Sequence, residues 1–445
     1  MRIAARTMVA VVAVAALVGA AEHAAAAKSE TVIVKRRLGN GVTLIVSPNP
    51  WNSVAAVSVL VDAGSKHDPV ELRGLARVTS ELLTCGTATM PRAELESLVD
   101  SRGIRLGSYT TEDLAEIYAA STIDQFDAAL DVLAALVTQP SFDGRDLPRA
   151  QRRVLDEQER AVNDPFESCY AKLNELMLGD HSYAHPPCGT KAGVSAVTRD
   201  DVMRFHADRY RGGNIVVAAV GDFDVDEVMR KLGESFAPCA SGRSSRRATE
   251  AKPSAEPVAF EFHRDIPTGY VAVGFLAPPM GSDDCAAVRV LSSVLGEGKS
   301  DLGRLRAAFR VGEPDGAAAA GAFCSERVEI GRLVLFASTK GVDEAAATIM
   351  EVVERIREEG VPDDEVAAAK ERLLGQIALS GQPNLERARL LATGEIARLG
   401  SGHTDDLVAR IGAVTAADVH RVAGAYLTAP STVILRPGRA QRTQL

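Results

Sequence analysis

The chain has 445 residues, a formal net charge of −9, 46% hydrophobic residues, one Trp and six Cys. That length favours two or three domains over a single core. Its basic residues are scattered along an acidic chain, which argues against a nucleic-acid surface and disfavours a polyanion partner.

Arg2 and Arg6 precede an apolar run at residues 8–21, and small residues fill 24–27. That order reads as a signal peptide over residues 1–27, so the mature chain is expected to be exported, to a periplasm or beyond the cell. An anchor that is never cut is the competing reading. No later stretch is apolar for the roughly 20 residues a membrane-crossing helix needs, so no span is expected in the mature chain. Cys85, Cys169, Cys188, Cys239, Cys285 and Cys324 form no C-x-x-C pair, which argues against a zinc ribbon or thioredoxin-like site. Free buried thiols are expected, although export permits some to oxidise.

Short or alternating apolar runs predict strands at 31–34, 43–46 and 54–61, with Gly39, Asn40 and Gly41 forming a hairpin-like turn. Apolar spacings of three and four predict helices over 72–83, 92–101 and 126–136. A β-rich run follows at 215–220. Residues 241–257 (SGRSSRRATEAKPSAEP) are polar, lack apolar periodicity and hold two prolines, which is linker composition. Beyond them a strand is predicted at 270–275.

The chain also repeats itself. Val197, Thr198, Asp201, Val202 and Arg204 recur in spacing as Val414, Thr415, Asp418, Val419 and Arg421, each set followed by a Tyr and a β-rich run. Upstream, residues 126–137 match 342–353 and residues 146–155 match 365–374, with Ala150 and Arg153 in step with Ala369 and Arg372. Three matches in order at a nearly constant offset predict two related lobes, 28–240 and 258–445, joined by the linker 241–257. Strands followed by helices in each predict an α+β fold, a mostly antiparallel sheet with helices packed on one face.

Residues 74–87 (GLARVTSELLTCGT) resemble the segment of the pitrilysin/insulinase zinc peptidases that carries the inverted motif H-x-x-E-H and closes with the same Gly-Thr pair. The likeness extends in order through Leu38 to Gly41, VLVDAGS at 59–65, residues 154–157, Gly189-Thr190 and residues 220–223. This implies the metallopeptidase-like, LuxS/insulinase-type clamshell of two lobes. In the family, two His at i and i+4 and a Glu on a later helix hold zinc, while a Glu inside the motif serves as general base. Here Arg77 stands at the first His, Ser80 at the Glu and Glu81 at the second His; Glu157 falls at the third ligand.

A permanent cation repels zinc, and a serine cannot take a proton from water with useful driving force near neutral pH. Catalysis by the family route is therefore excluded, with no metal and no cofactor expected. Because i and i+4 are neighbours on a helix, Arg77 is expected to bond Glu81, Glu157 or both. No replacement centre stands out: His181 and His185 are four apart but lie between Gly179 and Pro186, so they read as surface loop histidines. In the second lobe, residues 303–310 resemble the family segment S-R-L-x-x-x-L-R, whose last Arg, with a Tyr seven residues on, holds substrate backbone. Arg310 matches and is the candidate substrate contact; Ala317 replaces the Tyr.

The resemblance implies a non-catalytic subunit that pairs with a zinc-bearing homologue, or with a second copy, and helps to enclose peptides. The alternatives are a stand-alone pseudopeptidase that binds peptides or envelope proteins, and, further off, an active metallopeptidase with another site.

Overall fold

The computed structural model describes residues 32–244, 256–297, 303–310 and 319–438. The signal-peptide reading, most of the linker and Ala317 lie outside the described residues.

The first sheet contains β1 (Val34–Arg37), β2 (Thr43–Pro48), β3 (Val54–Val61), β4 (Arg105–Thr110), β5 (Ala115–Thr122) and β6 (Ile215–Gly221), in the order β1-β2-β6-β3-β5-β4. The second contains β7 (Val258–Arg264), β8 (Gly269–Ala277), β9 (Ala319–Ser325), β10 (Gly331–Thr339) and β11 (Ser431–Pro437), in the order β7-β11-β8-β10-β9. With β1 set aside, the two orders coincide. In each half the last strand inserts between the first two and makes the one parallel pair, β2 with β6 and β7 with β11; the other pairs are antiparallel.

The first strand departs from expectation, beginning at Val34 and running through Lys35, Arg36 and Arg37. Charged residues suit it because it is an edge, paired only with β2. The predicted helix at 72–83 is shorter, Leu75–Leu83, after a single 3-10 turn at Val70–Leu72. Gly74 breaks the two apart with φ of 106°, and a side chain there would strike Val194 and the Cys188 carbonyl. The Asp68 carboxylate then accepts the N–H groups of Gly74 (2.7 Å) and Ala76 (2.8 Å), satisfying donors that every helix start leaves over. Downstream, the two V-T-x-x-D segments make the same capping box: Thr198 with Asp201 opens the helix Arg199–Arg209, and Thr415 with Asp418 opens Ala416–Tyr426.

Successive strand residues point to opposite faces, and here both faces are covered. Val57, Val59, Val217 and Ala219 pack on the first lobe's helices. Leu60, Val216, Ala218 and Val220 face the other way, onto Ala388, Leu391 and Ala392 of the helix Asn384–Ile396, which the second half supplies. The exchange is mutual. Ala272, Val334, Val433 and Leu435 of the second sheet meet Leu173 and Met177 of the helix Pro165–Leu178, supplied by the first half. That helix lies so close to β8 that a side chain at Gly274 would meet Met177 Sδ at 2.5 Å. Each lobe thus has its own helices on one face and a single borrowed helix on the other.

The lobes also meet through charge. The β4–β5 turn carries Glu112, whose carboxylate takes Arg327 at 2.7 Å and Arg332 at 2.8 Å, both from the second lobe. Arg332 is 0% exposed. Next to Glu112, the carboxylate of Asp113 accepts from Lys66 (3.0 Å), the Val328 N–H (3.0 Å) and the Tyr183 hydroxyl. Burial pushes the Glu112 carboxyl upward, but Arg327 and Arg332 outweigh it and hold the pKa below the usual carboxylate value.

Candidate functional site: the degenerate zinc motif

Two helices position the motif residues, Leu75–Leu83 and Leu147–Asn163. The first exposes little more than one edge; every residue from Leu75 to Leu83 except Arg77 is buried. The second is amphipathic, with Ala150 and Val154 buried and its charged residues turned outward. Four charges meet where the helices pack. Arg77 Nη1 lies 2.7 Å from one oxygen of Glu81, and Arg153 Nη1 lies 3.2 Å from the other. Arg77 also donates through Nε to Glu157 Oε2 at 3.0 Å, with Nη2 at the same distance. Arg77 and Glu81 are four apart on one helix, Arg153 and Glu157 four apart on the other, so acid and base alternate around the cluster.

The Arg77 side chain is 12% exposed. Burial works against its charge, and Glu81 and Glu157 more than offset this, leaving the pKa above that of an ordinary guanidinium. It is therefore a fixed cation wedged between the only two carboxylates of the motif. Ser80 is 0% exposed, and its hydroxyl oxygen accepts from Thr110 Oγ1 at 3.0 Å, on the end of β4. Nearby Cys85, at the end of the helix, is a buried thiol pushed up to about 11 by burial and by Asp146 and Glu81, so it is no nucleophile near neutral pH.

These residues do not fit a zinc ion. Both candidate oxygen ligands are engaged by guanidinium groups, the two arginines already supply the two positive charges a zinc ion would bring, and the general-base position is a sealed hydroxyl. Among the described residues no group of three His, Cys, Asp or Glu side chains converges to hold a metal.

The other sequence candidates separate. Arg310 ends the helix Arg304–Arg310, but its side chain lies outside what is described. Its neighbour Arg304 is held by Glu365 at 2.7 Å. His181 corrects the sequence reading: it is buried, not a surface loop residue, because the segment tucks under the second lobe. Its Nδ1 accepts the Tyr183 N–H at 3.0 Å, and its Nε2 stands 3.5 Å from Glu329. His185 is half-buried, with burial and Arg73 lowering its pKa. Sequence reasoning missed the part Arg153 takes in this cluster; its spacing of four from Glu157 was the available signal. Thr110 had none.

The comparisons with known proteins bear on the fold and the family. Residues 43–190 match the family model described as insulinase (peptidase family M16), and residues 196–373 match the model described as peptidase M16 inactive domain. Similar chains include an uncharacterized zinc protease of Bacillus subtilis, 23% identical over 87% of this chain and 94% of that one. Another of Streptomyces coelicolor is 24% identical over 94% of both. A probable mitochondrial-processing peptidase subunit beta of Arabidopsis thaliana is 24% identical over 88% of this chain and 75% of its own. Among solved structures, a peptidase M16 inactive domain from Pseudomonas fluorescens superposes with a TM-score of 0.83 at 19% identity, over 92% of this chain and all of that one. A protease from Helicobacter pylori gives the same score and coverage at 20% identity. The model named inactive covers mainly the second lobe; it is Arg77, Ser80 and Glu81 that set the first lobe apart. The chain belongs to the insulinase (peptidase M16) family, of its non-catalytic type.

Proposed function

We propose that the chain is the non-catalytic subunit of an exported heterodimeric insulinase-type peptidase, pairing with a zinc-bearing homologue to enclose peptide substrates. The observation that carries this reading is the Arg77 guanidinium lodged between Glu81 and Glu157. A metal site that had merely decayed would leave two unpaired carboxylates at a helix junction. Here charge is balanced, so the lobe keeps its shape without the ion. One relative is itself named as a subunit of a larger peptidase, which supports a divided assembly. The common strand order and the twin capping boxes support descent of both lobes from one duplicated unit.

The test is co-expression with the H-x-x-E-H homologue from the same organism. Joint elution at the mass of a heterodimer, with chelator-sensitive cleavage dependent on the partner's zinc, is expected. Stoichiometric zinc in this chain alone, or a monomer indifferent to the homologue, would overturn the proposal. Peptide binding by the isolated chain would instead favour a stand-alone pseudopeptidase.

A further inference from the structure

A cavity of about 360 Å³ opens at the lobe junction, where the end of the helix Asn384–Ile396 meets the β1 edge of the first sheet. Lys35 and Arg37 reach it from β1; being two apart, they share one face of that strand. Arg243 comes from the end of the first lobe and Arg398 from just past the helix. Among the described residues lining it, Glu395 is the one acid, and it pairs with Lys35 at 3.1 Å. The guanidinium groups of Arg37 and Arg398 have no hydrogen-bond or ion-pair partner among the described residues. Arg398 holds a left-handed backbone, φ of 67°, because it closes the helix: the Leu399 N–H just after it returns to the Gly394 carbonyl at 2.8 Å.

The electrostatics favour an anion. The carbonyl end of the helix contributes about half a negative charge. Arg243 has an interaction of its own, so only Lys35, Arg37 and Arg398 are counted; against Glu395 and the helix end they still leave the cavity an excess of roughly one and a half positive charges. This stands out in a chain whose net charge is −9. Guanidinium forks match phosphate oxygens in pairs, and a volume of this order suits a small ligand, not a polymer. Residues 35 to 398 are far apart in sequence, so a linear reading sees scattered charge where the fold makes a cluster.

We propose that this cavity binds a small phosphate-bearing anion, a phosphate monoester or short polyphosphate, gripped by Arg37 from one lobe and Arg398 from the other. Since the walls belong to both lobes, such a ligand binds only the docked arrangement and stabilises it by mass action. The site does not depend on pairing with a homologue.

Calorimetry and thermal unfolding of the mature full-length chain with tripolyphosphate test this. Saturable one-site binding and a rise in melting temperature are expected. Arg37→Ala and Arg398→Ala should each weaken binding about tenfold, and Glu395→Gln should tighten it. Circular dichroism confirms that each variant is folded. Absence of saturable binding, unchanged affinity in the R37A/R398A double variant, or equal binding of citrate, a carboxylate anion of similar charge, would each overturn the phosphate site.

Discussion

Replacing Arg77 with Met tests the reasoning about the motif most directly, because Met keeps much of the apolar stem and removes only the charge. Losing one partner of a fully buried ion pair costs about 3–5 kcal/mol. Here two features reduce that figure. Arg153 still stands 3.2 Å from Glu81, and the Glu157 side chain is 40% exposed, so it can turn to water. The expected loss is therefore about 2 kcal/mol, nearly all of it from Glu81, whose side chain is only 9% exposed. A double-mutant cycle separates the partners. Coupling of Arg77 to Glu81 should be on the order of 1–2 kcal/mol and coupling to Glu157 about 0.5 kcal/mol. Arg77→Lys, a point charge that cannot span both carboxylates, should recover part of the loss. Urea unfolding should be followed by far-UV circular dichroism, since the single tryptophan, Trp51, is 89% exposed and a poor reporter of the fold. If R77M unfolds within about 0.5 kcal/mol of the parent chain, the ion cluster does not substitute for the metal, and the argument fails.

Glu112→Gln keeps the shape of the β4–β5 turn but strips the counter-charge from Arg327 and the fully buried Arg332, so a loss of about 3–5 kcal/mol is expected in the same assay; a change under about 1 kcal/mol would show that the lobes do not depend on it. His206, depressed to about 4 by burial despite its bond to the Val137 carbonyl, should make stability fall with acid. The unfolded chain takes the proton near 6.5 while the folded chain resists it, so the contribution is whole above about 6.5 and is lost as pH falls towards 4, about 3 kcal/mol. His206→Gln should flatten that part of the profile, and an unchanged slope would point to another group. Residues 256–438 expressed alone would uncover Ala272, Val334, Val433 and Leu435. They should be insoluble or lack fixed tertiary structure; a soluble, cooperatively melting fragment would refute the mutual helix exchange.

Local chemistry was legible in the amino-acid order. The paired capping boxes, the helix at Arg92–Ser101, the strand at Val54–Val61 and the i,i+4 relation of Arg77 to Glu81 all depend on neighbours within a turn or a strand, which sequence specifies directly. The replaced zinc ligands were equally plain, because a side chain's capacity to bind metal or take a proton belongs to its type. What sequence could not decide was which faces meet. The uninterrupted apolar runs of β3 and β6 imply two covered faces, but not that the second cover comes from Asn384–Ile396 some 160 residues beyond β6. The same holds for Arg153 reaching Glu81, for the burial of His181 and for the cations of the lobe junction. Each depends on long-range packing driven by non-directional burial of apolar surface, and only the closed tertiary structure fixes which distant charges that packing brings together.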